Sequence, residues 1–361
     1  MMNTVVRKID IEKVNREYIN EAGAVLQNGG LVAFPTETVY GLGGNAYDVL
    51  ASEKIYAAKG RPSDNPLIAH IAEEQMLYEI AAYVPENAKK MMKAFWPGPL
   101  TMVFKKTEKV PYETTGGLET VAVRMPNHLV ALELIKAAGV PVAAPSANTS
   151  GRPSPTKAEH VEEDLSGRID MILDGGQVGI GIESTIVDMT SEVPMILRPG
   201  YITKGMIEKV IGEVSEDIVV NAKTVQDMGQ KDYVPKAPGM KYKHYAPKAE
   251  LTMYEGPINV VVNTINEEIK KAKKAGLKTG VIATEESKDK YNGDYVVSIG
   301  SRNDEETIAR NLYDVLRNFD GTDADVIYGE TFYDDEFGCS IMNRLIKAAG
   351  YNLVQVREDE I

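Results

Sequence analysis

The sequence predicts an α/β protein in two domains joined by a linker rich in Pro, Lys and Tyr. The first observation is length: 361 residues exceed one ordinary core and suit two domains. The second is an alternation of short aliphatic runs with stretches whose apolar positions repeat at helical spacing. The third is the segment from Lys231 to Lys248, KDYVPKAPGMKYKHYAPK, which interrupts that alternation with five lysines against a single acid. We expect a larger domain over residues 1–215, the linker over 216–249 and a smaller domain over 250–361.

Composition narrows the class. Hydrophobic residues make up 43% and charged residues 26%, the balance of an ordered soluble protein. No run of about 18 apolar residues offers a membrane span. The first residues lack an apolar signal core, so secretion is not expected, and the single cysteine, Cys339, permits neither an internal disulfide nor a thiolate metal cluster. A cytoplasmic location fits. His70, His128, His160 and His244 are scattered, without the spacing that sets two metal ligands on one helix face, so no metal site is expected. Net charge is -13, and both halves are acidic: residues 1–200 hold 19 Lys and Arg against 25 Asp and Glu, residues 201–361 hold 21 against 28. A bulk nucleic-acid coat, which needs a basic face, is disfavoured.

In chain order, residues 11–29 carry apolar positions at helical spacing and stop at Gly29 and Gly30. A strand follows over 31–34. Pro35 breaks its ladder, and Thr36, Glu37 and Thr38 set two hydroxyls and a carboxylate beyond its end, where open α/β sheets commonly place ligands. A helix over 48–58, with Asp48 or Ser52 as cap, runs into Lys59, Gly60, Arg61 and Pro62. Glycine between two cations, with proline stopping the helix, lets both long side chains aim into one hollow as an anion would require. Taken alone, such a pair reads better as solvated charges offsetting the helix dipole, so the case for an anion site comes from the other motifs.

Residues 65–71 read as a buried strand in which His70 is either a satisfied core histidine or a substrate-bonding group. Residues 95–99 form a turn carrying the single tryptophan, and 100–104 a strand. Along 120–124, alternation puts Thr120, Ala122 and Arg124 on one face. An arginine ending an apolar strand needs a partner, either an internal Glu or a carboxylate ligand. After a helix over 129–138, a strand from 140 opens into a loop dense in hydroxyls, including Ser146, Asn148 and Ser154, which suits phosphate or ribose oxygens. Residues 172–176 and 181–187 resemble a hairpin with Ser184 at a strand start, and Arg198 ends a further strand. Four cations at element ends, Lys59, Arg61, Arg124 and Arg198, suggest a site for several negative charges. In the smaller domain, 259–262, 279–283, 295–299 and 325–328 read as strands and 265–275, 305–318 and 341–349 as helices, giving a parallel sheet without G-x-G-x-x-G.

These pieces also resemble a known family, the YrdC-type threonylcarbamoyl-AMP synthases in their longer two-domain form. The matching motifs are FPTETVYGLG (34–43), KGRPSDNPLIAHI (59–71), FWPGPLT (95–101), TVAVRMPNH (120–128), APSANTSGRPSPT (144–156), GIESTIVDM (181–189), LRPGYIT (197–203) and APGMKYKHYAP (237–247). The resemblance implies a twisted mixed-sheet YrdC-like domain followed by a smaller Rossmann-like domain. It implies synthesis of threonylcarbamoyl-AMP from L-threonine, bicarbonate and ATP, with Mg²⁺ accompanying the nucleotide. It sets Thr36, His70, Arg124, Ala144 through its backbone, and Ser184 around threonine, and Lys59, Ser63, Thr120, Ser146, Ser154, Arg198 and Tyr245 around ATP. Lys59, Arg61, Ser146 and Asn148 would carry the chemistry, with Lys59 needed for catalysis more than for folding. Tyr242, His244 and Tyr245 would fold over the site as a lid, against the alternative of a plain tether. The product would pass to a tRNA threonylcarbamoyltransferase complex, with no membrane partner and direct tRNA contact left open. The alternative reading is an RNA-binding module without catalysis.

Overall fold

The structure, a computed structural model, describes residues 3–218, 220, 222, 245–332 and 336–357. Most of the basic linker, Tyr242 and His244 included, lies outside the described residues. The chain divides into two compact units, the first centred on residues 1–150 and 154–220, the second on 151–153 and 242–361. No helix among the described residues is long and apolar enough to cross a membrane.

The first unit is built on one mixed sheet. Its strands are β1 (Val5–Lys8), β2 (Val32–Phe34), β3 (Gly41–Asn45), β4 (Ile68–His70), β5 (Leu100–Lys105) and β6 (Thr120–Arg124). They continue with β7 (Val142–Ala143), β8 (Met171–Asp174), β9 (Thr185–Asp188), β10 (Met195–Arg198) and β11 (Ser215–Glu216). In space the order is β1-β8-β2-β3-β7-β4-β6-β5-β9-β10-β11. Helices α1 (Arg16–Gln27), α2 (Val49–Lys59), α3 (Glu74–Ile80) and α4 (Glu86–Phe95) pack around it with α5 (Tyr112–Thr115), α6 (Leu129–Ala138), α7 (Ala158–Leu165) and α8 (Lys204–Ile211).

Local chemistry sets these bounds. The Asn15 side chain accepts from Glu17 N to start α1, and Asp48 accepts from Leu50 N to start α2. Gly60, at φ 62°, ends α2 in the left-handed conformation that glycine adopts without strain. A Cβ on Gly23 would stand 2.8 Å from Ala137, so glycine is what lets α1 and α6 touch. Apolar residues fill both sides of the sheet, one cluster including Leu42, Ile55, Leu77 and Phe104, the other Leu26, Phe34, Leu134 and Leu173.

Two expectations for this unit change. Only Ile68–His70 of residues 65–71 joins the sheet; Pro66 has no N–H to offer a ladder. The hairpin over 172–187 does not form: β8 pairs in parallel with β1 and β2, whereas β9 pairs with β5 and β10. The connecting loop finds other partners. Val178 N donates to Thr156 O, Ile180 N to Glu37 O and Gly181 N to Thr38 O, so its amides are spent on the turn after β2 and on the 144–156 loop.

The second unit is the expected parallel α/β sheet. Its elements are β12 (Glu250–Glu255), α9 (Ile258–Lys274), β13 (Thr279–Ala283), β14 (Tyr295–Ser298), α10 (Glu305–Asp320), β15 (Val326–Glu330), α11 (Glu336–Ala348) and β16 (Leu353–Gln355), with strand order β14-β13-β15-β12-β16. The strands of this sheet pair in parallel among the described residues. Residues 259–262, expected as a strand, belong to α9. Their valines continue a helical stripe of Val260, Val261, Ile265, Ile269 and Ala272, all buried, and Pro257 precedes the first turn, where a missing N–H costs nothing.

At the carboxyl ends of β13 and β15 lies a buried carboxylate, Glu330, 2% exposed. Thr284, through its amide and hydroxyl, Ser287, Tyr291 and Arg302 all donate to it. These donors hold the carboxyl below its ordinary range despite burial, which acts the other way.

Candidate functional site

The site grows from β4 and β6, whose parallel register sets His70 beside Arg124 at the two strand ends. Arg124 is 4% exposed. Its Nε donates to Gly98 O at 3.3 Å, its Nη1 donates to Thr38 Oγ1 at 2.9 Å, and its Nη2 lies 2.7 Å from Glu37 Oε1. Thr36 Oγ1 donates to Val39 O at 2.7 Å. Its one proton is thereby used, so in the 2.9 Å contact between the two hydroxyls Thr38 is the donor. A directed chain runs from Arg124 through Thr38 and Thr36 to a backbone carbonyl.

The other side of Arg124 is carried by β5. Thr101 stands opposite Arg124 in register, and its hydroxyl lies 2.7 Å from Ser184 Oγ. Ser184 is buried just before β9, and Arg198, ending β10 and 6% exposed, donates to it twice: Nε to the carbonyl at 3.0 Å and Nη2 to the hydroxyl at 3.2 Å. Gly200 makes this close packing possible, since a Cβ there would sit 2.6 Å from Thr185 N. Thr36, His70, Arg124, Ser184 and Arg198 are thus joined through neighbouring strands and short hydrogen bonds.

His70 is neutral. Burial first, and the Arg124 charge second, push its imidazole down to about 3. Its Nδ1 lies 3.1 Å from Ile68 O. Ala144 is pinned to the same strand through its N–H to Ile68 O at 2.8 Å.

A second cluster forms at the end of α2. Lys59 is 1% exposed and its Nζ donates to the carbonyls of Ser146 and Asn148. Ser146 Oγ donates to Asn148 Oδ1 at 2.6 Å, and Ser150 N to Lys59 O at 2.8 Å. Arg61 instead folds over its own loop, donating to Asn65 O and Pro66 O, both at 3.2 Å. The two cations flanking Gly60 therefore serve different segments in this state. Lys59 also holds the 146–148 loop, and the expectation that it matters little for folding gives way to a structural share in its role. Ser154 is fully buried and donates to Glu183 Oε1 at 2.6 Å, next to Ser184. Ser63 is exposed beyond Arg61, and Thr120 begins β6 while Arg124 ends it, roughly 13 Å apart at the rise of a strand. Tyr245 belongs to the second unit, where it is 7% exposed, has φ 67° and packs its ring 5.0 Å from that of Tyr313.

Three members of the network are additional to the expected set: Glu37, Thr38 and Thr101. The turn after β2 already displayed the carboxylate and second hydroxyl, and Arg124 already demanded an internal acid; the sequence did not say that the two belong together. Thr101 left no signal beyond strand alternation.

Residues 24–200 match the Sua5, YciO and YrdC family model, described as telomere recombination, and residues 202–350 match the model of the threonylcarbamoyl-AMP synthase C-terminal domain. The threonylcarbamoyl-AMP synthase of Bacillus subtilis is 50% identical over 342 residues, covering 94% of this chain and 95% of that protein. The one from Schizosaccharomyces pombe is 38% identical, covering 92% and 88%. The crystal structure of Pyrococcus abyssi Sua5 complexed with L-threonine superposes with a TM-score of 0.91 at 48% identity, over 98% of this chain and 100% of that one. With both domains matched and a shared architecture along nearly its whole length, the chain belongs to the threonylcarbamoyl-AMP synthase family.

Proposed function

We propose that this chain is a nucleotidyltransferase that makes L-threonylcarbamoyl-AMP from L-threonine, bicarbonate and ATP and releases pyrophosphate, the first step of N6-threonylcarbamoyladenosine formation in tRNA. One observation carries the reading: two buried guanidiniums share one end of the sheet, Arg124 standing opposite Thr101 in register and Arg198 donating to Ser184, whose hydroxyl meets that of Thr101. The relatives' names and the threonine complex of the Pyrococcus abyssi protein support catalysis rather than an RNA-binding module.

The reaction explains why cations matter. The threonine nitrogen, once it has given up a proton, attacks the carbon of bicarbonate; an N–C bond forms, a C–O bond breaks, water leaves and a carbamate remains. A carbamate oxygen then attacks the α-phosphorus of ATP, the bond to the bridging oxygen breaks, and pyrophosphate leaves with the electron pair. Two like charges about 4 Å apart repel by roughly 4 kcal/mol even at an effective dielectric of 20, and this step brings several together. Fixed positive groups lower that barrier without reorganising, and positioning supplies the rest.

In this reading Arg124, Thr36, His70, Ser184 and the Ala144 backbone receive threonine. Lys59, Ser63, Thr120, Ser146, Ser154, Arg198 and Tyr245 receive ATP, while Arg61 and Asn148 act beside the carbamate and phosphates. The distance from Arg124 to Thr120 suits an elongated pair of substrates. Magnesium would arrive with the nucleotide. It would be held mainly by phosphate oxygens and water. The single cysteine, Cys339, fits a reducing cytoplasm, and the product would go to a downstream tRNA threonylcarbamoyltransferase complex.

The test is pyrophosphate release from ATP with threonine and bicarbonate omitted in turn. Release should need both; release that ignores threonine would refute the proposal.

A further inference from the structure

Glu37 is a buried acid that the functional reading leaves without a task. Its side chain is 12% exposed and its Oε1 lies 2.7 Å from Arg124 Nη2, yet neither carboxylate oxygen makes a directed hydrogen bond, nor does that Nη2. The pair is close in distance and off in angle. Glu330 in the same chain shows what a framework acid looks like, saturated by donors from Thr284, Ser287, Tyr291 and Arg302. Arg124 does not depend on Glu37 for its placement, because Gly98 O and Thr38 Oγ1 already fix the other two nitrogens.

The charges expected of the ligand sharpen the point. Threonine reaches the site as a zwitterion, with ammonium and carboxylate on one carbon. Arg124 matches the carboxylate. The remaining groups read as threonine-binding, Thr36, His70, Ser184 and the Ala144 backbone, include no anion, and His70 is neutral. An ammonium taken out of water without an opposite charge is costly. The other buried acid nearby, Glu183, already accepts from Ser154. Glu37 is adjacent to Arg124, opposite in sign and short of hydrogen-bond donors.

We propose that Glu37 is a specificity residue of the amino-acid site: its carboxylate takes the substrate ammonium while Arg124 takes the substrate carboxylate, so that the ion pair selects α-amino acids over α-hydroxy acids. This rests on the reading that threonine binds at Arg124. Without substrate the two partners face each other; with it, each gains the complementary end of the zwitterion.

The experiment is calorimetric titration of the full chain with L-threonine and with the 2,3-dihydroxybutanoate of matching stereochemistry, in which a hydroxyl replaces the ammonium. The unaltered chain should prefer threonine by about tenfold or more, the scale of one hydrogen bond to a charged group. Glu37→Gln should weaken threonine by about the same factor while leaving the hydroxy acid within about threefold. Preference kept in a folded Glu37→Gln protein, or equal weakening of both ligands, overturns the assignment alone. Failure of the unaltered chain to bind threonine overturns the functional reading and this assignment with it. Should Glu37→Gln not fold, Glu37→Asp decides: selective loss of threonine affinity supports the role, and equal loss refutes it.

Discussion

His70 should make this protein measurably weaker in mild acid, and replacing it should remove that weakness. Its folded value is about 3 against an ordinary 6.5, so the folded state refuses a proton that the unfolded chain accepts. The stability this contributes is fully present above pH 6.5 and is lost as pH falls toward the folded value. Between pH 7 and pH 5 the unfolded imidazole goes from mostly neutral to almost fully charged, and linkage converts that uptake to about 2 kcal/mol of lost unfolding free energy. The assay is urea unfolding of the wild type and of His70→Gln at both pH values. Carboxylates that titrate in this window are common to both proteins and cancel in the difference. The wild type should lose about 2 kcal/mol more than the variant. Equal losses would mean that His70 is charged or solvated in the folded state, and the argument from its burial beside Arg124 would be wrong.

Four further outcomes are expected. Lys59→Met should abolish adenylate formation and also lower stability by about 2 kcal/mol, because the buried Asn148 carbonyl and the part-buried Ser146 carbonyl lose their donor; an unchanged melting temperature would count against the anchoring role. Gly200→Ala should cost about 2 kcal/mol through the clash with Thr185 N, and it should raise the KM for threonine as Ser184 moves. Thr101→Val deletes the contact to Ser184 while keeping the volume, so denaturation should show a loss of about 1 kcal/mol. Glu330→Gln strips the charge facing Arg302 in the second unit and should cost about 3 kcal/mol, visible as a lower urea midpoint.

Much of this was legible before any coordinates. Helix 129–138 and strands 100–104 and 120–124 lie where the sequence pattern put them: the helix has one buried stripe and a clear stop at Gly139, at φ 66°, and the strands are short aliphatic runs buried on both faces. Cations at strand ends beside Pro and Gly pointed at the site for a physical reason: charge in an apolar strand requires a partner. The errors share a different cause. Val260 to Val262 carry β-branched chains that favour strands in isolation, and tertiary packing of a helical stripe overrode that preference. The false hairpin at 172–187 arose because sequence proximity suggested pairing, whereas the loop amides go to Glu37, Thr38 and Thr156, far away in the chain. Glu37 was visible as a carboxylate but not as the partner of Arg124, since only a folded sheet brings positions 37 and 124 together.

The interleaved strand order of the first unit has a consequence for synthesis. The network begins with Thr36 and finishes with Arg198, 198 − 36 = 162 positions later, and β9 and β10 are laid down beside β5 only after the intervening segments are in place. Closing such distant contacts must repay a large loss of chain freedom before it gains anything. A nascent polypeptide on the ribosome would carry no finished pocket until its tenth strand had emerged, and amino-terminal fragments ending short of that strand should be inert, however well their own helices form.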